Sequence, residues 1–215
     1  MSEITPPPLP SVLFRHFDEE CHAVSFCAGK FRVQINSFYA EIECANRKDL
    51  SEGEAYFQRR GEVISAIFNA DPSIPTEVTT RQGLQKVTVS FGHAVFITCF
   101  SGPNACPKEK NKFGAHAVRI DDPNQFLQDL INWNSSHNRF WVELEKVEYT
   151  RGQILEVSDK DSWRLTYLQK PESFRLEDEY RLCLIGKGPD FLADQISQKE
   201  FTIDLGKSLP YVRRI

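Results

Sequence analysis

No stretch of this chain approaches about 18 uninterrupted apolar residues, so no segment reads as a membrane-spanning helix. The opening MSEITPPPLPSV lacks a basic region followed by an apolar one and does not read as a secretory signal. Cationic excess is missing too. The net charge is −4, which argues against bulk electrostatic binding to nucleic acid and leaves room only for a local basic groove. Neither G-x-G-x-x-G nor G-x-x-x-x-G-K-[ST] occurs, so the Rossmann and P-loop readings fall away. The six cysteines (Cys21, Cys27, Cys44, Cys99, Cys106 and Cys183) form no C-x-x-C, and most sit in apolar runs such as FITCF and YRLCLI. They read as free thiols in a reducing cytoplasm rather than as disulfides or a structural zinc site. His22, His93, His116 and His137 are scattered without H-x-x-x-H or a partner cysteine, so none is assigned to a metal.

What the chain does have is aromatic mass. Sixteen Phe, six Tyr and three Trp among 215 residues supply the surface of a substantial core. Residues 1–11, with Pro6-Pro7-Pro8 and Pro10, read as a disordered proline-rich arm. Residues 12–215 read as a single α+β domain, with mixed, mostly antiparallel sheets and a few short helices. Alternating or β-branched runs predict strands over residues 12–17, 31–35, 63–68, 85–91, 94–100, 116–120, 139–149, 180–185 and 201–205. A helix is expected from an Asp18 N-cap to about Ala28, closed by Gly29, and a second from Asp121-Asp122-Pro123 to about Asn132. Ser37 is placed to cap a third, short helix over FYAEIE, before the charged loop NRKDLSEGE.

Three blocks carry candidate chemistry. In Phe174-Arg175-Leu176-Glu177-Asp178-Glu179-Tyr180-Arg181-Leu182, a strand puts Glu177 and Glu179 on one face with Arg181 beyond them. Paired carboxylates suit a reaction with a cationic transition state, one stabilising an oxocarbenium ion while the other orients a nucleophile. The plainer alternative has both facing solvent, with Arg181 partnering one of them. In Leu13-Phe14-Arg15-His16-Phe17, a basic pair ends a strand before a capped helix, where Arg15 would hold an anionic group such as phosphate. An exposed arginine and an ordinary histidine are the alternative. In Phe96-Ile97-Thr98-Cys99-Phe100-Ser101, the hydroxyls of Thr98 and Ser101 either order a pocket or simply begin the Gly102-Pro103-Asn104 turn. A nuclease would need E-x-K spacing on a strand, and no convincing instance occurs.

A basic residue on the first strand, then a strand ending in Ser/Thr, then E-x-E resembles the Arg–Ser–Glu plan of ADP-ribosyltransferases. LFRHF, a helix, Gly29 and FRVQI look like the start of many members of that superfamily. The run F-x-x-E-x-E-Y-R-L, with the earlier SFYAEIE, also resembles a group of prokaryotic proteins met near toxin and phage-defence genes. The resemblance implies a transferase using NAD as co-substrate, with no metal, to modify a protein or nucleic-acid acceptor, with an antitoxin as a further expected partner. Glu179 would be the catalytic glutamate and Glu177 would orient the acceptor. Arg15 or His16 would hold the dinucleotide, with Thr98 and Ser101 bracing the pocket. T-C-F-S stands where the plan has S-T-S, and no aromatic is assigned to stack on nicotinamide. The competing expectation is a non-catalytic binding or interaction module of a defence system. The two differ in geometry: the transferase needs Glu179 and Arg15 in one cleft, whereas the module predicts Glu179 paired with Arg181 or another cation.

Overall fold

The computed structural model describes residues 8–35, 54–59, 62–67, 77–80, 86–88, 95–105, 113–151, 155–156, 165–187 and 200–215. In chain order these form β1 (Leu13–Phe17), α1 (Glu20–Cys27), β2 (Lys30–Ile35), β3 (Glu54–Arg59), β4 (Glu62–Ile67), β5 (Glu77–Thr80) and β6 (Lys86–Thr88). Then come β7 (Val95–Ser101), β8 (His116–Ile120), α2 (Pro123–His137), β9 (Phe140–Lys146), β10 (Glu148–Arg151) and β11 (Leu155–Glu156). A short α3 (Leu165–Leu168) leads through β12 (Gln169–Pro171) and a 3₁₀ turn (Glu172–Glu177) into β13 (Glu179–Gly186), β14 (Glu200–Asp204) and β15 (Val212–Arg214). The fold is α+β and its described strand pairs are mostly antiparallel; β10 with β12 and β11 with β3 are parallel.

β7 organises the larger sheet. One of its edges is taken along its whole length by β13, from Val95 opposite Ile185 to Ser101 opposite Glu179, and β9 lies beyond β13. The other edge is shared: β2 takes Phe96 and Ile97, while β1 takes Ser101. From there β2 continues to β14, and β1 continues to β8 and β15. The sheet therefore forks. The hydroxyl of Thr98, at the root of the fork, donates to the carbonyl oxygen of Arg32 at 2.9 Å, where the main chain of β2 leaves β7. A second sheet runs β11-β3-β4-β5-β6.

Strand periodicity explains why β7 and β13 are apolar almost throughout: both of their faces are covered. Phe96, Phe100, Tyr180, Leu182 and Leu184 point to the main core, where Ala23 and Phe26 of α1 and Phe126 and Leu130 of α2 meet them. The ring of Phe26 packs on Phe31 at 5.0 Å and on Phe126 at 5.8 Å between centroids. On the opposite face Val95, Ile97, Cys183 and Ile185 pack with Tyr167 and Leu168. β2, covered on one side, alternates instead: Phe31, Val33 and Ile35 are buried, Lys30 and Arg32 exposed.

Both long helices form where local signals place them. Asp122 caps α2, its carboxylate accepting from the Gln125 N–H at 2.9 Å with Pro123 at the first helical position. α1 ends at Gly29, whose φ of 79° is reached without a Cβ penalty and where a side chain would strike the carbonyl of Lys207.

Several expectations are corrected. The N-cap of α1 is Glu19 rather than Asp18. The run 139–149 is not one strand: it breaks into β9 and β10 at Val147, whose N–H donates to the Glu179 carbonyl at 2.9 Å. Residues 172–177 form a 3₁₀ turn, so only the last part of the Glu177–Arg181 block is strand. Leu9, within the expected arm, packs against the main core. The helix expected after Ser37 lies outside the described residues, as do residues 1–7.

Candidate functional site

The strand expected to carry the acidic pair begins one residue after a left-handed turn. Asp178 has φ 45°, which rotates Glu177 out of strand register with Glu179. The two carboxylates nevertheless converge, through a third residue that the strand pattern did not indicate. Lys170, on β12, places its Nζ 2.7 Å from Glu177 and 2.6 Å from Glu179. On the other side of Glu179, Arg181 Nε donates to its Oε1 at 2.6 Å, and Arg181 Nη1 donates to the Tyr167 carbonyl at 2.6 Å. The Glu179 N–H donates to the Tyr149 hydroxyl oxygen at 2.7 Å. Glu179 is 4% exposed and Arg181 1%.

These contacts set the protonation states. Burial pushes the Glu179 carboxyl up, but Arg181 and Lys170 outweigh it and hold the group well below the usual carboxylate range. For Glu177 burial wins over the pull of Lys170, and its pKa is raised. Burial acts to lower Lys170, yet Glu179 and Glu177 keep its ammonium above its ordinary value. Cys99 lies beside this cluster with its thiol pushed up by burial and by the charge of Glu179, so it is an inert thiol rather than a nucleophile.

Asp178 anchors the neighbouring turn. Its carboxylate accepts from the Asn104 N–H at 3.0 Å and pairs with Lys146 at 2.7 Å, and its carbonyl accepts from the Gly102 N–H at 2.7 Å. A side chain at position 102 would collide with that carboxylate and with the Tyr180 ring, so the glycine is required. Ser101 is buried and stands opposite Glu179 in register. Thr98 faces the other way and is occupied with the Arg32 carbonyl.

Arg15 lies across the sheet from all this. Its guanidinium sits over the rings of Phe17, Phe100 and Phe26, at 5.3, 5.6 and 5.8 Å from their centroids, on the helix-covered face. Glu179 faces the side of Tyr167 and Cys99. Among the described residues, the sheet thus lies between the Arg15 guanidinium and Glu179. His16 points to the other face of β1 and stacks at a tilt on Phe113, 6.3 Å between centroids.

Neither protein-family profiles, nor curated proteins, nor solved structures match this chain. The fork of the sheet supplies a site of a different kind. A cleft of about 320 Å³ opens between the end of β1, α1 and β2, reaching Thr202 on β14. Arg15, His16, His22, Lys30 and Arg32 line it, with Phe17, Phe31 and Phe113 as apolar wall and Asp18 as the one carboxylate among the described lining residues. On its β14 side Lys30 pairs with Asp204 at 3.0 Å and Arg32 with Glu200 at 3.2 Å, both exposed pairs that an incoming anion can compete with. Arg15 and His16, read in the sequence as a basic pair placed to hold an anion, both line this cleft. Lys30, Arg32 and His22 were not read so, because their approach depends on which strands share the edge of β7.

A second cluster escaped the sequence reading. His22 has a cysteine as its immediate chain neighbour, Cys21, and the first turn of α1 brings Glu19 to both. The signal was the run E-x-C-H itself.

Proposed function

We propose that this chain is a non-catalytic binding module that takes a phosphorylated ligand, of mononucleotide size, in the fork between β1 and β2. The observation that carries this reading is the contrast between two charged places on the sheet. Glu179 is closed off and neutralised by Lys170 and Arg181, while the cations of Arg15, Lys30 and Arg32 surround a cleft. In a chain of net charge −4 this basic concavity runs against the overall balance, which favours a specific anion over general polyanion binding. A volume of about 320 Å³ lies at the lower end of the ~300–1,000 Å³ typical of small-molecule sites. Guanidinium and ammonium groups supply the phosphate contacts, and the phenylalanine walls suit a ribose or base.

One observation favours the NAD-dependent ADP-ribosyltransferase reading: Ser101 stands opposite Glu179, on the neighbouring strand. Calorimetric titration with inorganic phosphate, ADP and NAD separates the two. The module reading expects binding of phosphate and ADP that falls at least about tenfold in Arg15→Ala, with no nicotinamide released from NAD when cell lysate supplies acceptors. Nicotinamide release that is lost in Glu179→Gln would replace the module with the transferase.

A further inference from the structure

The start of α1 gathers three chemically different ligand atoms. Glu19 occupies the N-cap but makes no side-chain capping bond, and its Oε2 instead accepts from the Cys21 thiol at 3.4 Å. His22 follows in the same turn, its backbone N–H donating to the Glu19 carbonyl at 3.2 Å. A carboxylate oxygen of Glu19, Cys21 Sγ and a ring nitrogen of His22 all lie within 4.8 Å of one another, and all three residues are exposed. Glu20, the other acid of this turn, is directed away to an ion pair with Arg214.

The chemistry of the set is specific. Zinc and similar borderline divalent ions take thiolate, imidazole and carboxylate together, whereas calcium and magnesium prefer oxygen alone. Tetrahedral bonds of about 2.0–2.3 Å put ligand atoms roughly 3.3–3.8 Å apart, a spacing that modest side-chain rotation reaches here. Thiolate and carboxylate balance a dipositive ion. Three protein ligands leave a fourth position to water or to another donor, the arrangement of reactive rather than structural zinc sites. His22 also belongs to the wall of the fork cleft.

We propose that Glu19, Cys21 and His22 form a three-ligand site for a zinc-class divalent ion at the lip of the cleft. This site stands whether or not the cleft takes a phosphorylated ligand, since its ligands are complete without Arg15, Lys30 or Arg32. The test is a titration of the full, reduced chain with Co²⁺, which reports thiolate ligation as a near-ultraviolet charge-transfer band and tetrahedral geometry as visible d–d bands. One equivalent of Co²⁺ should generate both, and Zn²⁺ should displace it. Loss of an outer-shell partner already weakens metal sites by 10- to 100-fold, so Cys21→Ser should abolish the charge-transfer band and weaken binding by about 100-fold or more. Glu19→Gln and His22→Gln should each weaken it by at least about tenfold. Cys27→Ser, on the same helix but packed against the core, should leave the spectrum as it is. Because the three ligands are exposed, thermal melting of the variants should match wild type, which keeps a lost band from being an unfolding effect. A chain that gives no charge-transfer band, or one whose band survives Cys21→Ser, overturns the proposal.

Discussion

Two charged regions lie at different places on one sheet, one beneath β13 and one at the fork of β1 and β2, and they differ in what surrounds the charge rather than in its kind. Beneath β13, Lys170 and Arg181 are nearly sealed from solvent, and they meet the carboxylates of Glu177 and Glu179 at 2.6–2.7 Å. In the fork, Lys30 and Arg32 are about half exposed and meet carboxylates at 3.0 and 3.2 Å. The first set has used its charge internally, because removing an ion from water demands a counter-ion and full hydrogen bonding. The second keeps its charge available to a ligand. An E-x-E-Y-R run therefore does not define a reactive centre until the source of its cations is known.

Several experiments break or sharpen this contrast. Lys170→Met leaves Glu177 and Glu179 buried against each other and should cost about 3–5 kcal/mol in urea unfolding. Lys30→Met, removing an exposed pair, should cost under ~1 kcal/mol. Equal losses would erase the distinction between the regions.

Acid should act partly through the closed region. Glu179 is depressed in the folded state, and so is Asp129, where burial pushes up but hydrogen bonds from Lys207, Tyr211 and Gln125 prevail. A depressed carboxyl contributes stability fully above its unfolded value, near ~4.3, and loses it as pH falls through the folded one. Glu177, raised by burial, works in the opposite sense: it binds its proton more readily in the folded chain, so its contribution declines as pH rises past the unfolded value. With Glu179, Asp129, Glu172 and Asp204 depressed and Glu177 raised, unfolding free energy should fall between about pH 5 and pH 2, by roughly 2–3 kcal/mol for Glu179 alone. Glu179→Gln should flatten that slope, measured by urea titration at each pH.

Gly102→Ala should cost about 1–3 kcal/mol, because the new methyl displaces the Asp178 carboxylate and the Tyr180 ring in a packed corner. A stability change as small as that of Lys30→Met is expected for Arg15→Lys. That variant keeps the charge and loses the planar contact with three rings, about 1 kcal/mol or less in melting. Its phosphate affinity should still drop about tenfold, since a lysine cannot make the paired contacts of a guanidinium. A variant that melts lower but binds phosphate unchanged would move the anion away from Arg15.

Legibility in the sequence followed the range of the interactions. β8 was read to the residue, because His116–Ile120 is bounded by local turn signals. The start of α2 was read because Asp122 and Pro123 act within one turn. Glu177, the last residue of the 3₁₀ turn, was read as strand, since the left-handed Asp178 that ends the turn is stabilised by Asn104, Gly102 and Lys146, all distant in sequence. The same holds for the break at Val147, which exists to bond Glu179. For the site, Arg15 and the Glu177–Glu179 pair were visible as residues. Their separation by the sheet was not, because it depends on the pairing of β7 with β13 on one edge and with β1 and β2 on the other.

That sharing of one edge has a consequence for how the molecule assembles. Arg32 of β2 meets Glu200 of β14, 168 positions further along the chain, while β1 and β13 reach β7 from either side across most of the intervening sequence. Pairings over such separations carry the loop-closure entropy before they return any contact energy, which places folding on the millisecond-to-second scale of non-local β proteins rather than that of helical bundles. The β14 wall of the fork cannot form until the last strands of the chain are present. During synthesis the helix-covered core can begin to gather around Phe26 and Phe126, but the cleft is among the final features to take shape.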